Sequence, residues 1–516
     1  MSSWLAKIGS TFGVNLNLHD RKGRDFGLFL GISALACGLL VAVFSPWKVL
    51  AVVLAVLVVG FGFYRPETIL LLLALYTPLE PFLLKFVGDE IYIYARYFSE
   101  GLVYVILGSA LLRLWMRRRP WPANPLNLPF AFFLVVAATS LLVNLVPPFI
   151  GILGLRQIIR FILLFFAVVI LDPPRDFIKR FTSLLLLLFL AEGILGGVQA
   201  IVGAPLDELL IPSERRFYES IQLTTGTEQT WSPGTRVFAT LGRYDQYGTF
   251  LSFFMLLVVG LIYCLRDKRD RRTLVMMLVA VMPAFVMTLS RASWFGFVLG
   301  LAAIGAWLKR DWRLRFGFLA AAVVIAAYLG VNSLVVRYMT DYPSQTPIER
   351  LFEAFSYERW RGEYYGLGRL YWMVQTPLVV VRSAPLFGVG PGQYGAGAAA
   401  ALGNMRVYER LNLPFGVYGT EGYIDNNWFA LWGETGTLGL IFYLWMFWAL
   451  GIMSWRVWRK SEDPMTRGLA LGFLGCLFAV TFQAFLATFL ETRTLALYLW
   501  TYGAFVYVLG RREKIV

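Results

Sequence analysis

Long apolar runs constrain this chain more than any other feature of its sequence. A helix needs about 20 mostly apolar residues to cross a hydrocarbon core of about 30 Å, and helices satisfy their own backbone hydrogen bonds there. Fourteen runs approach or exceed this length, at residues 26–44, 48–63, 67–84, 97–115, 128–146, 153–171, 177–202, 244–265, 273–290, 292–308, 314–331, 434–456, 467–490 and 493–510. Hydrophobic residues make up 58% of the chain and charged residues 15%, which is outside the range of soluble proteins. The sequence therefore predicts an all-α integral membrane protein with about 14 transmembrane helices, or twelve if residues 97–115 and 153–171 do not span.

Basic residues indicate the orientation of these helices, because cytoplasmic connections collect Lys and Arg. Most of the 47 basic residues fall in or beside alternate short connections, such as residues 266–272 and 309–315. This pattern predicts that both termini are cytoplasmic and that two polar segments, residues 203–243 and 332–433, lie outside. It divides the chain into a cytoplasmic tail at 1–25, membrane bundles at 26–202 and 244–331, the two outer segments, and C-terminal helices at 434–510.

The remaining composition excludes several classes of function. Topology and attraction to anionic lipid explain the net charge of +15, so no nucleic-acid partner is expected. Cys37, Cys264 and Cys476 all fall in predicted spans and are too scattered for a disulfide framework or a metal cluster. We expect no metal and no cofactor.

The outer segment at residues 332–433 has the pattern of a folded, helical region. Leu370, Met373, Val374 and Val381 recur at helical spacing, which predicts an amphipathic helix that ends before Pro385. The glycine-rich residues 388–397 then predict a tight turn. Backbone amides of such a turn could approach an anion, although most turns of this kind have no ligand.

Arginine is the only basic residue type in the two outer segments, which hold twelve arginines and no lysine. Guanidinium groups bind phosphate oxygens in pairs, although eight acidic residues at 332–433 offer ordinary surface pairing to most of them. Arg243 and Arg291 lie at the membrane boundary, where an arginine usually faces a polar cavity or a ligand. Arg156 and Arg160 are instead predicted to extend to the lipid headgroups.

A polar cluster, Asp425, Asn426 and Asn427, precedes the apolar run that begins at Glu434. Both Asp and Asn favour the N-cap position, so these side chains either cap a membrane helix or hold a ligand at its mouth. The sequence alone leaves these two interpretations open.

Four stretches resemble motifs of the O-antigen ligase and polymerase superfamily of bacterial envelope glycosyltransferases. In order they are RYDQYGTFLSFFMLL at 243–257, TLSRASWFGFVLGL at 288–301, GRLYWMVQTPLVVVRSAPLFGVGPGQY at 368–394 and YIDNNWFALWGETGTLGL at 423–440. The resemblance covers roughly residues 243–450. It implies a GT-C-like, inverting and metal-independent enzyme of the bacterial cytoplasmic membrane. Such an enzyme moves glycan from undecaprenyl diphosphate to an acceptor sugar hydroxyl on the outer face.

The resemblance also implies the site residues. Arg243, Arg291 and Arg369 would bind the diphosphate, and Arg369 would also act in catalysis. Ligases of the superfamily carry His eight residues before the Glu that corresponds to Glu434, but this chain has Asn426 there, and its only histidine is His19. A carboxylate is the usual alternative base, so Asp425, Asn426 and Glu434 are the acceptor-side candidates, with Asp425 as base and Glu421 as a further option.

Because polymerases vary more at the His position, the sequence favours a repeat-unit polymerase whose partners are a lipid-linked glycan donor, a glycan acceptor and membrane lipid. A ligase of the same superfamily is the first alternative. A lipid-linked oligosaccharide flippase or other transporter is the second, and it predicts polar residues along several spans. A non-catalytic scaffold is the third.

Overall fold

The computed structural model describes residues 46–212, 217–218, 221–222, 234–342, 345–395, 397–417 and 421–516. The expectations for the tail at 1–25, the apolar run at 26–44, His19 and Cys37 lie outside the described residues. Contacts divide the chain into a unit that ends at Tyr64 and a second unit, Arg65–Val516. The site lies within the second unit.

The described chain is almost entirely helical. The helices are α1 (Pro46–Tyr64), α2 (Pro66–Leu84), α3 (Asp89–Met116), α4 (Asn127–Val143), α5 (Pro148–Ile159), α6 (Ile162–Leu171), α7 (Arg175–Val202), α8 (Ala204–Leu210), α9 (Tyr244–Cys264), α10 (Lys268–Met287), α11 (Arg291–Leu301), α12 (Trp312–Val331), α13 (Ser333–Arg337), α14 (Pro347–Glu353), α15 (Tyr357–Tyr365), α16 (Arg369–Gln375), α17 (Gly397–Ala401), α18 (Arg406–Arg410), α19 (Asn427–Lys460), α20 (Pro464–Gln483) and α21 (Arg493–Arg512). A 3₁₀ turn covers Ala239–Leu241, and π-helical turns at Ala302–Leu308 and Thr376–Val381 extend α11 and α16. The strands described are the antiparallel pair β1 (Phe217–Tyr218) and β2 (Ile221–Gln222).

These helices confirm the predicted helical class and are consistent with a membrane protein. Eight described helices are long and apolar enough to cross a membrane, or nine if α5 and α6, which meet at 56°, form one broken span. Each of the thirteen predicted runs within the described residues overlaps a helix or this pair. The number of spans stays a prediction.

The core of the second unit is formed by α9, α20 and α21, whose apolar side chains are buried among the other helices. Helix α12, in contrast, has no buried residue, as expected for a helix that faces lipid on most sides. Small residues allow α9 and α20 to approach closely. A Cβ atom added at Gly260 of α9 would lie 2.3 Å from the backbone nitrogen of Gly472 in α20.

The outer segment at 332–433 contains the short helices α13 to α18, and α16 with its π-helical turn covers the amphipathic helix that the apolar spacing predicted. Thr346 and Glu349 form a capping box at the start of α14. The helical turns that begin at Arg369 end before Pro385. The extracytoplasmic placement of this segment stays a prediction.

The predicted helix at 467–490 was wrong at its C-terminal end, because α20 ends at Gln483. Residues 484–492 form an irregular connection whose backbone groups find partners in Asn427. The Asn427 side chain accepts a hydrogen bond from the Leu490 amide at 2.8 Å, and its backbone N–H donates to the Ala484 carbonyl at 2.8 Å. A non-helical backbone is tolerated in such a place only when its polar groups are satisfied.

We expect Gly260→Ala to destabilise the protein, because overpacking of a close helix contact costs about 1–3 kcal/mol. The control is Gly197→Ala in α7, where an added Cβ meets nothing within 4 Å. Thermal unfolding of the detergent-solubilised protein gives the unfolding temperature of each variant. Equal unfolding temperatures for the two variants would contradict the close packing of α9 on α20.

Candidate functional site

A cavity of about 850 Å³ lies where α2, α3, α5, the start of α9, the start of α11, the helices of the outer segment and the connection at 484–492 meet. Its lining combines apolar helix surface with polar and charged side chains from these elements. A concave site with few, clustered polar groups is the usual form of a ligand-binding pocket.

Arginine dominates the polar lining of this cavity. Nine arginines line it, and they form two groups. The first group is Arg243, Arg291, Arg350, Arg359 and Arg369, and the second group is Arg96, Arg156, Arg160 and Arg493. The acidic residues among the described lining are Glu80, Asp245, Asp425 and Glu491. This excess of guanidinium groups favours an anionic ligand.

Glu353 fixes the centre of the first arginine group. Its side chain is fully buried and accepts from Arg350 at 2.8 Å and from Arg359 at 2.5 Å, and it lies 3.0 Å from Arg291. Burial by itself raises the pKa of Glu353, but the three guanidinium groups outweigh it, so this pKa lies below the ordinary value of 4.5. The ionised carboxylate therefore holds these arginines in place beside the cavity.

The three arginines predicted to bind diphosphate all line this cavity. Arg291 is the first residue of α11 and is held by Glu353. Arg243 immediately precedes α9 and donates two hydrogen bonds, each 3.1 Å, to the carboxylate of Asp245. Arg369, the first residue of α16, lies 3.5 Å from Asp425 and 3.8 Å from Glu363. Its Nε atom is buried without a hydrogen-bond partner among the described residues.

The three side chains of the polar cluster at 425–427 have different surroundings and different contacts. Asp425 lines the cavity and its side chain is 54% exposed. Asn426 is fully buried and does not line the cavity, and it caps α19 by accepting from the Phe429 amide at 3.1 Å. Asn427 holds the connection at 484–492. The capping interpretation thus applies to Asn426, whereas Asp425 faces the space where a ligand would lie.

Glu434 supports the glycine-rich turn and does not line the large cavity. Its fully buried carboxylate accepts hydrogen bonds from the amides of Gly392 at 2.8 Å and Tyr394 at 3.4 Å. Two amides of the glycine-rich turn thus donate to a carboxylate of the protein itself. Two residues later, Gly436 has a φ of 68° and breaks α19 at the point where the turn packs against it. This conformation favours glycine because it is left-handed.

The second arginine group was missed by sequence reasoning. The prediction that Arg156 and Arg160 extend to the headgroups was wrong, because Glu100, a buried residue of α3, pairs with Arg156 at 3.1 Å and with Arg160 at 2.9 Å. Arg160 lies at the break between α5 and α6, and both arginines line the cavity. An acidic residue in the predicted span at 97–115 was the available signal, since a buried carboxylate requires a partner.

Two further acidic residues, Glu192 and Glu491, have different surroundings. Glu192 of α7 is buried and accepts from the Thr240 hydroxyl at 2.7 Å, so it holds the turn at 239–241. Glu491, in the connection at 484–492, lines the cavity and accepts from Gln157 at 2.5 Å and from the Gly397 amide at 3.2 Å. Burial raises the pKa of Glu491 above its ordinary value of 4.5 and outweighs these hydrogen bonds.

The described structure is thus a set of apolar helices around a cavity lined by arginines. Residues 276–444, which include Arg291, Arg369 and Asp425, match a family model described as O-Antigen ligase. The match confirms the resemblance to the O-antigen ligase and polymerase superfamily. It indicates a glycosyltransferase-like enzyme of the bacterial inner membrane that acts in polysaccharide or lipopolysaccharide biosynthesis, with a lipid-linked glycan donor and an acceptor in the membrane. No curated protein matches the chain.

The described residues contain no group of three or more His, Cys, Asp or Glu side chains that could hold a metal ion. Cys264 and Cys476 are free thiols. The basic side chains that line this cavity are all arginines, and guanidinium groups bind phosphate oxygens in pairs.

We expect Glu434→Ala to lower the unfolding temperature, because two buried amides of the glycine-rich turn lose their acceptor at a cost of about 1–3 kcal/mol each. Glu434→Gln retains an acceptor oxygen and should keep most of this stability. Thermal unfolding in detergent compares the two variants. A stable but inactive Glu434→Gln protein would instead assign Glu434 a chemical role.

The pairing of Glu353 predicts a pH dependence of stability. Because its folded pKa is depressed, Glu353 contributes stability above its unfolded pKa, near 4.5, and this contribution is lost as pH falls through the lower folded value. The unfolding temperature of Glu353→Gln should therefore lie below that of the wild type at pH 7, and the difference should shrink below about pH 4.5. A difference that does not change with pH would contradict the ionised state of Glu353.

Proposed function

We propose that this protein is a repeat-unit polymerase, a membrane glycosyltransferase that moves glycan from undecaprenyl diphosphate to an acceptor sugar hydroxyl on the outer face of the cytoplasmic membrane. The observation that carries this proposal is the shared cavity. Arg243, Arg291 and Arg369, which are far apart in sequence, line it together with Asp425. Three of these four residues lie in the region that matches the O-Antigen ligase model.

The reaction is a single displacement at the anomeric carbon. The acceptor hydroxyl oxygen forms a bond to this carbon, and the bond between the carbon and the diphosphate oxygen breaks. The bonding electrons leave with the lipid diphosphate, whose negative charge grows, and the configuration inverts. Preorganised cations that face the growing charge lower the barrier without a metal. Arg291 is suited to this task because Glu353 holds its guanidinium group beside the cavity.

The acceptor hydroxyl must lose its proton to a base in the same step. Asp425 is our candidate, since its carboxylate lines the cavity and is more than half exposed. Arg369 would position this carboxylate from 3.5 Å. Burial by itself lowers the pKa of Arg369, but Asp425 and Glu363 outweigh it and raise this pKa, so the guanidinium group stays charged. In this proposal Asn426 and Glu434 act by shaping the mouth of α19 and the glycine-rich turn.

The choice of polymerase over ligase depends on the acceptor. Asn426 is neutral and buried, and it cannot take the proton that the His of ligases is proposed to take. The description of the matching family, O-Antigen ligase, keeps ligase activity as the second candidate. A transporter receives less support, because it predicts polar residues free to line a path along several spans, whereas Glu80, Glu100 and Glu192 each have internal partners.

We also propose the full membrane arrangement given by the sequence. It has fourteen spans, cytoplasmic termini, outer segments at 203–243 and 332–433, and the bundles between them. The overlap of thirteen predicted runs with helices or the bent α5 and α6 pair supports it.

An elongation assay tests the proposed function. Purified protein in nanodiscs receives the lipid-linked oligosaccharide of its native host, and a gel resolves the products by length. The wild type should produce a ladder of longer lipid-linked glycans. Arg291→Ala should reduce the rate roughly 10²- to 10³-fold, since it removes a donor to the leaving group. Asp425→Asn should reduce it about 10²-fold or more.

The control is Arg382→Ala, which removes an exposed arginine of the outer segment that does not line the cavity. It should retain the full rate. A normal ladder from Asp425→Asn would exclude Asp425 as the base. A wild-type protein that transfers glycan only to a different, non-elongating acceptor would be a ligase.

A further inference from the structure

The N-terminus of α21 opens into the same cavity and lacks a side-chain cap. Its N-cap residue, Thr492, provides no capping hydrogen bond to this 20-residue helix, and the first amides of any α-helix have no partner within the helix. Thr494, in the first turn, is 4% exposed and lines the cavity, and its hydroxyl has no hydrogen-bond partner among the described residues. An unsatisfied helix start with an orphaned hydroxyl favours an anion.

Two arginines of the second group lie at this helix start. Arg493 is the first residue of α21, and its Nη1 atom is held by Glu80 at 2.5 Å, Ser99 at 2.9 Å and a backbone carbonyl at 2.7 Å. That carbonyl belongs to Arg96, whose own guanidinium group lines the cavity without an ion pair to any described residue. One cation is thus fixed by the fold, and the carboxylate that acts on the charge of the other, Glu80, already pairs with Arg493.

The acidic residues around this helix start are engaged by other partners. Glu80 and Glu100 are buried and engaged by Arg493 and by Arg160, respectively. Glu491 lines the cavity, but its carboxylate is bound by Gln157 and a backbone amide, and burial raises its pKa, which reduces its negative charge. The balance of charge therefore leaves room for an external anion.

We propose that the N-terminus of α21, the Thr494 hydroxyl, Arg96 and Arg493 form a second phosphate-binding site, which takes the diphosphate of a second lipid-linked glycan. This assignment of the ligand depends on the proposed polymerase function, in which both donor and acceptor carry a polyprenyl diphosphate. The first arginine group then holds the donor diphosphate, and the second site anchors the acceptor so that its sugar hydroxyl reaches Asp425. A ligase that takes an acceptor without this group would not need the second site.

The number of diphosphate ligands bound per chain tests the second site without the need for glycan transfer. Isothermal titration of farnesyl diphosphate into wild-type protein in phosphatidylcholine nanodiscs should give two sites per chain, and farnesol should give none. The Arg96→Gln and Thr494→Val variants should each weaken one site about tenfold or more and leave the other unchanged. Neither variant removes a partner of Glu80 or Glu100. Arg291→Gln should weaken only the other site.

Arg118→Gln, at an exposed position outside the cavity, is the matched control and should bind as the wild type does. Each variant must elute as a single species and unfold in one cooperative transition. One site in the wild type, weakened by Arg291→Gln but not by Arg96→Gln, would overturn the second site and leave the proposed function intact. Two sites without glycan elongation would support the second site and refute the polymerase.

The same titration in phosphatidylglycerol nanodiscs separates the two sources of phosphate. If the site is built for lipid-linked diphosphate, two binding events persist. Loss of only the event that depends on Arg96 would show that a phospholipid headgroup occupies the site, and would overturn its assignment to a second substrate.

Discussion

The pairing of buried carboxylates with arginines is the interaction on which the rest of this site depends. A guanidinium group at a membrane boundary is costly unless it meets a counter-charge or water. Glu353 supplies that charge to Arg291 and two neighbours, and Glu100 supplies it to Arg156 and Arg160. Each carboxylate joins elements that are distant in sequence. The same contacts that stabilise the fold therefore collect the cations around one cavity.

The second constraint is that buried backbone N–H and C=O groups need hydrogen-bond partners. This need explains the contacts of the irregular segments around the cavity. Glu434 accepts from amides of the glycine-rich turn, Asn427 from an amide of the connection at 484–492, and Glu192 from the Thr240 amide of the turn at 239–241. These three polar residues sit within or at the start of membrane helices. Their task is to hold non-helical backbone where water is scarce, which leaves the arginines and Asp425 to face the ligand.

The sequence predicted much of the site, and its errors have physical causes. Arg243, Arg291, Arg369 and Asp425 could be selected because charged residues next to apolar runs are rare and costly, and all four line one cavity. Arg156 and Arg160 were misread because a hydropathy pattern cannot reveal that Glu100, more than fifty positions earlier, is their partner. The end of α20 at Gln483 was missed for a similar reason, since Asn427 satisfies the connection from another helix.

By itself, the sequence determined that this chain is helical and apolar enough for a membrane, where its long helices lie and which outer arginines lie next to apolar runs, because length and hydrophobicity are local properties. Only the tertiary structure decided which arginines share a cavity, which amides donate to Glu434, and that the start of α21 faces the same space as Arg291. Ion pairs and shared cavities depend on distances between residues that are remote in sequence, and no local pattern encodes those distances.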